Sequence, residues 1–119
     1  CIFIERGNAR EAVKSIAEGA KLLKSGYSQG LFPEGTRSQD GQMIPFKAGG
    51  FKLAEKAGVR ILPVTIVGGN LLMPKGTFNI TAQKIKLIIS SPVAMEGRST
   101  SEIAVLCHDI IETQFKKYS

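Results

Sequence analysis

Apolar residues at Ala9, Ala12, Val13, Ile16, Ala17, Ala20 and Leu23 return every three or four positions, the repeat of one helix face laid on a sheet. Asn8 stands in front of them with Glu11 in capping-box relation, and Gly26 supplies a stop, so the pattern predicts a helix over about residues 8–25. Ile103, Val105, Leu106, Ile110, Ile111 and Phe115 predict another over about 100–117, capped by Ser99 or Thr100. A shorter helix opens at Pro45, turns Phe46, Gly50, Phe51 and Ala54 inward and closes at Gly58.

Short apolar runs without that period read as strands: Cys1 to Ile4, Gly30 to Phe32, Arg60 to Val67 and Lys84 to Ile89. Pro33 ends the second, since it has no N–H to give a ladder, and Ser91-Pro92 ends the fourth. Pro63 inside the third marks an edge, a bulge, or a residue that shapes the wall of a pocket. Asn70 to Thr77 reads as a looser segment whose Leu71, Leu72 and Met73 either pack in the core or line a site for a hydrocarbon chain. The order of elements predicts an α/β fold: a mostly parallel sheet of about four strands flanked by helices, joined by right-handed crossovers.

The chain of 119 residues is expected to form a single domain, with 43% hydrophobic residues and 22% charged, an ordinary globular balance. No apolar run approaches the roughly 18 residues that a membrane span needs. Sixteen basic against ten acidic residues give a net charge of +6 and a pI near 9.6. That excess draws anions: nucleic acid, acidic lipid head groups or phosphorylated small molecules. The basic residues are scattered and there is no Trp to stack on bases, which ranks nucleic acid last.

Cys1 and Cys107 are far apart and suit free thiols in a reducing compartment. One His and two distant Cys cannot build a zinc site, and there is no Walker or dinucleotide glycine fingerprint, so neither metal nor cofactor is expected. His108 and Asp109 are neighbours on a helix and point about 100° apart, a poor arrangement for one to orient the other.

The chemistry concentrates in Phe32-Pro33-Glu34-Gly35-Thr36-Arg37-Ser38. A strand ends at the proline, and the residues after it offer an acid, a glycine that permits close approach, hydroxyls and a guanidinium fork, a set suited to a phosphate monoester. Arg6 stands at the C-terminal end of the first strand, where ligands sit in an open parallel sheet. Lys47, at the start of the short helix, is a cation where the helix dipole disfavours one; it is either solvated or beside a bound anion.

These residues resemble the glycerolipid acyltransferases of the 1-acylglycerol-3-phosphate type, in order and over nearly the whole chain. Ile2-Phe3-Ile4-Glu5-Arg6 resembles the family's second block, with Glu5 where Asp is commoner. Phe32 to Ser38 matches its third block residue for residue, Pro45-Phe46-Lys47 with Gly49 resembles the segment after it, and Ile61-Leu62-Pro63-Val64 resembles the fourth. Pro74-Lys75-Gly76 is similar as well. The resemblance implies a fragment of the glycerolipid acyltransferase fold in which Arg6, Glu34, Gly35, Thr36, Arg37 and Lys47 bind the acceptor and Pro63 serves the acyl donor or the pocket's shape.

It implies partners too: a lysophospholipid or glycerol phosphate acceptor, acyl-CoA or acyl-carrier protein as donor, and the cytoplasmic face of a membrane, reached peripherally or through an N-terminal anchor. The family's catalytic H-x-x-x-x-D block belongs upstream of the second block. The chain begins at that second block, and His108 has Thr113 at the Asp position. The expectation is therefore the C-terminal, acceptor-binding part of such an enzyme, inactive alone; the rival reading is a non-catalytic module that binds phosphate ligands.

Overall fold

The computed structural model describes residues 9–36, 40–72 and 76–119; the expected first strand, the Asn8 cap and the Met73–Lys75 segment lie outside them. Helix α1 spans Ala9–Lys24. Its buried and half-buried positions are Ala12, Ser15, Ile16, Gly19, Ala20 and Leu23, a narrower stripe than the sequence suggested, with Val13 and Ala17 outside it. The stop is a Schellman turn: Gly26 takes φ +99° and its N–H donates to the Leu23 carbonyl, while Tyr27 N–H reaches back to Leu22.

The helix expected from Pro45 starts later, because Lys47 is still extended (φ −80°, ψ 125°). A 3₁₀ turn over Ala48–Phe51 leads into α2, Lys52–Ala57, which Gly58 closes. α2 packs against α1. The third and fourth runs give β1, Val64–Val67, and β2, Lys86–Ile89, each shorter than expected. One turn of helix, α3 over Gly69–Leu72, lies in the segment expected to be loose. Helix α4, Thr100–Tyr118, is capped by Ser99, whose hydroxyl accepts from Glu102 N–H at 3.2 Å.

The sheet departs from expectation. Among the described residues it has two strands, paired antiparallel with Val64 opposite Ile89 and Ile66 opposite Leu87, so a mostly parallel sheet of about four strands is not what they form. Gly30 to Phe32 pairs with no strand among them; Leu31 lies against Gly50, where an added Cβ would meet its methyl carbons at 2.7 and 2.8 Å. The physical reason is that a short segment becomes a strand only when another strand lies alongside to pair with its backbone, and none of the described strands does so for this one.

Pro63 sits at a bulge. An isolated bridge pairs Ile61 with Val93 and the ladder resumes at Val64 with Ile89, leaving Leu62 and Pro63 to face Ser90, Ser91 and Pro92. The Pro63 carbonyl accepts from Ser90 N–H at 3.0 Å, while the proline has no N–H to return across the pair, so the ladder is one bond short at the bulge.

The core gathers Phe51, Val93, Ile103, Ala104 and Cys107, with Phe46, Ala48, Ile61, Met95, Leu106 and Ile110 packed around it. α4 therefore joins the sheet to the 3₁₀ turn, while Val105, expected on its inner face, is exposed. Ile103 is fully buried, so Ile103→Ala is expected to cost about 2–5 kcal/mol in urea unfolding, against little for Phe78→Ala at a residue 98% exposed.

Cys107 is a free, buried thiol. Burial pushes it up from its ordinary 9.0, against a smaller downward pull from Arg98. The folded chain thus holds this proton more tightly than the unfolded one. The stability it contributes is complete below about pH 9 and is lost as the pH rises further. The fall in stability between about pH 8 and about pH 10 should be shallower in Cys107→Ala than in the parent, measured by urea unfolding.

Candidate functional site

Pro33 to Thr36 forms a tight turn, closed by Gly35 N–H donating to the Phe32 carbonyl at 3.1 Å. Gly35 takes φ +73°, a conformation that a residue with a Cβ adopts only under strain. The turn is fastened to the extended segment before the 3₁₀ turn at two points. Lys47 N–H donates to the Pro33 carbonyl at 2.9 Å, and Ile44 N–H donates to the Glu34 carboxylate at 3.2 Å.

The consequence is a cation over the turn. A Cβ placed on Gly35 would stand 3.1 Å from the Lys47 ammonium nitrogen and 3.4 Å from the two carbons before it. The missing side chain of Gly35 is the space that the Lys47 arm occupies. Among the described residues no carboxylate lies within ion-pair reach of that ammonium. Phe46 and Ala48, on either side of Lys47, pack on the core and set the direction of this segment.

Of the residues predicted for the site, the structure brings Glu34, Gly35 and Lys47 together, with Thr36 exposed at the end of the turn. Arg6 and Arg37 lie outside the described residues. Pro63 is buried at the bulge in the sheet. Across that bulge, Ser90, Ser91 and Pro92 join Ile88, Ile110 and Lys117 around a shallow groove of about 550 Å³. Asn70 of α3 touches the loop beyond the motif, where a Cβ on Gly41 would meet its side-chain nitrogen at 2.6 Å.

A second cluster joins Glu112 to the His108 and Asp109 pair weighed in the sequence. His108, Asp109 and Glu112 bring donor atoms within 4.8 Å of one another on α4, and the signal for it is a His followed by acids one and four positions on along a helix. The ring of His108 meets Phe46 edge-on at 4.9 Å and lies 3.9 Å from the Asp109 carboxylate, too far for a hydrogen bond, while Glu112 pairs with Lys116 at 3.3 Å.

The family model described as Acyltransferase matches residues 1–67, more than half of the chain. The chain belongs to the glycerolipid acyltransferase family. It is 36% identical over 107 residues to a chloroplastic 1-acyl-sn-glycerol-3-phosphate acyltransferase of Arabidopsis thaliana, covering 89% of this chain and 29% of that protein. With the human 1-acyl-sn-glycerol-3-phosphate acyltransferase alpha it shares 33% identity over 106 residues, 88% of this chain and 38% of the human one.

The crystal structure of the 1-acyl-sn-glycerophosphate acyltransferase of Thermotoga maritima superposes with a TM-score of 0.85 at 35% identity, covering 90% of this chain and 47% of that one. The fold is thus that of part of an acyltransferase. The chain spans less than half the length of each of these relatives. No helix among the described residues is long and apolar enough to cross a membrane.

The strained turn gives a direct test. Gly35→Ala should cost about 1–2 kcal/mol, through the φ penalty and the displaced Lys47 arm, whereas Gly49→Ala, at a site with open space and no positive φ, should be neutral or slightly stabilising. Urea unfolding of both variants checks it.

Proposed function

We propose that this chain is the acceptor-binding part of a 1-acylglycerol-3-phosphate acyltransferase, and that the turn at Glu34 and Gly35 with Lys47 above it forms one side of the phosphate site. The observation that carries this is the ammonium group held over a family motif matched residue for residue from Phe32 to Ser38. A phosphate monoester placed there would meet Lys47 and, by resemblance, the guanidinium groups of Arg37 and Arg6. Each such charge-assisted bond is worth on the order of 1.5–3 kcal/mol.

Held by its phosphate, the acceptor presents its free hydroxyl to a general base. That base is the His of the family's H-x-x-x-x-D block, supplied by polypeptide outside these residues. The base takes the hydroxyl proton as the oxygen attacks the thioester carbonyl of acyl-CoA or acyl-carrier protein. A C–O ester bond forms, the C–S bond breaks, and the proton passes to the departing thiolate. Fixing both substrates makes a bimolecular transfer nearly intramolecular. The donor is a co-substrate, and no cofactor enters the scheme.

The charge of +6 suits the anionic cytoplasmic surface of a membrane, where such an acceptor resides. Pro63 and the bulge around it are assigned to the donor side of the pocket.

The test is acyl transfer by a full-length polypeptide containing this chain, with lysophosphatidic acid and acyl-CoA. Arg37→Ala and Lys47→Ala should each raise the acceptor KM and lower kcat/KM by about ten- to a hundredfold. The 119-residue chain alone should turn over essentially nothing, since loss of a general base removes about 10²–10⁴ in rate. A full-length protein that binds lysophosphatidic acid but transfers no acyl group would instead be a phosphate-binding module.

A further inference from the structure

The motif glutamate has a partner that its resemblance does not supply. Its carboxylate accepts the Ile44 N–H, ten residues further along, at 3.2 Å, in a half-buried position. Three residues beyond Ile44, the Lys47 N–H holds Pro33, the residue before Glu34. Between the two bonds stands Pro45, which has no N–H to offer, so Ile44 and Lys47 are the donors that flank it and Phe46. The two bonds form a bracket: Glu34 and Pro33 on one side, Ile44 and Lys47 on the other, with the Lys47 arm folded across Gly35.

We propose that Glu34 is a positioning residue: its carboxylate tethers the Ile44–Lys47 segment so that the Lys47 ammonium is held over Gly35 to meet the acceptor phosphate, and it does not itself bind the acceptor. This rests on the function proposed above and deepens it by dividing the motif's labour. The physical case is one of charge. A carboxylate aimed at a dianionic phosphate would repel it, whereas here one oxygen is turned onto a backbone N–H and no described carboxylate pairs with the nearby cation. Gly35 completes the device, since a side chain there would occupy the path of the lysine arm.

The chemistry separates the two roles. A tether needs only an acceptor oxygen, which an amide keeps; a direct contact to the acceptor hydroxyl through the carboxylate's charge would be lost in the amide. In the full-length enzyme, Glu34→Ala should raise the acceptor KM about tenfold with a much smaller change in kcat, and Glu34→Gln should recover most of that loss. The double variant Glu34→Ala with Lys47→Ala should bind the acceptor no worse than Lys47→Ala alone, because Glu34 acts through that lysine.

Hydrogen–deuterium exchange reads the tether without turnover. The Ile44 amide should be protected in the parent and in Glu34→Gln, and should exchange faster in Glu34→Ala. Additive losses in the double variant, a Glu34→Gln as damaged as Glu34→Ala, or an unprotected Ile44 amide in the parent would each overturn the assignment. A Glu34→Ala that merely melts earlier with its acceptor KM unchanged would overturn it too. An enzyme with no acyl transfer refutes the proposed function, while the exchange at Ile44 still decides the tether.

Discussion

The hydrogen bond from the Lys47 amide to the Pro33 carbonyl, 2.9 Å long, is the constraint on which the arrangement of the motif depends. Neither partner segment has regular structure: Pro33 begins a turn and Lys47 is extended, so no helix or ladder fixes them relative to each other. The core supplies what secondary structure does not. Phe46 packs against it and meets His108 of α4, and Ala48 and Phe51 continue the contact through the 3₁₀ turn. The turn of the motif is thus registered against the buried heart of the chain through one short extended segment. A proline on each side restricts the conformations the two segments can sample, which lowers the entropy lost in bringing them together.

The parts of the fold that were legible in the sequence are those whose stability is local. α1 and α4 announce themselves by period, cap and stop, and their ends fall within a residue or two of expectation because the Ser99 cap and the Gly26 turn are made by neighbours in sequence. The strands are different. Whether Gly30 to Phe32 pairs, and whether the pairing is parallel, depends on what lies alongside, and composition carries no record of that. The short helix was foreseen at Pro45 yet begins after Lys47, whose backbone is still extended where its amide reaches Pro33.

The site was legible to a similar degree. The motif's residue types pointed to an oxyanion, and the cation at Lys47 looked out of place on a helix dipole; it stands at the N-cap of the 3₁₀ turn and lays its arm over Gly35. What could not be read was the partner of Glu34. The Ile44 N–H has no side-chain signature, and its meeting with Glu34 is decided by how the intervening loop closes. A glutamate in such a motif invites a ligand; the structure shows one of its oxygens engaged by the protein's own backbone.

The sheet is linked to the loop beyond the motif through α3. Along β1 it is Thr65 that is fully buried, against α4, with no partner for its hydroxyl among the described residues, while Val64 and Ile66 face outward. They stand opposite Ile89 and Leu87, also exposed, so the outer face of the ribbon is apolar. A strand apolar on both faces is the mark of a sheet covered on both sides. Here α4 covers one face, and the exposed cross-strand pairs add only about 0.2–1 kcal/mol each. The ribbon therefore leans on α4 for its stability. Its first strand leads through Gly68 into α3, whose Asn70 rests on Gly41 beyond the motif. Support for the sheet is in this way support for the loop that follows the motif.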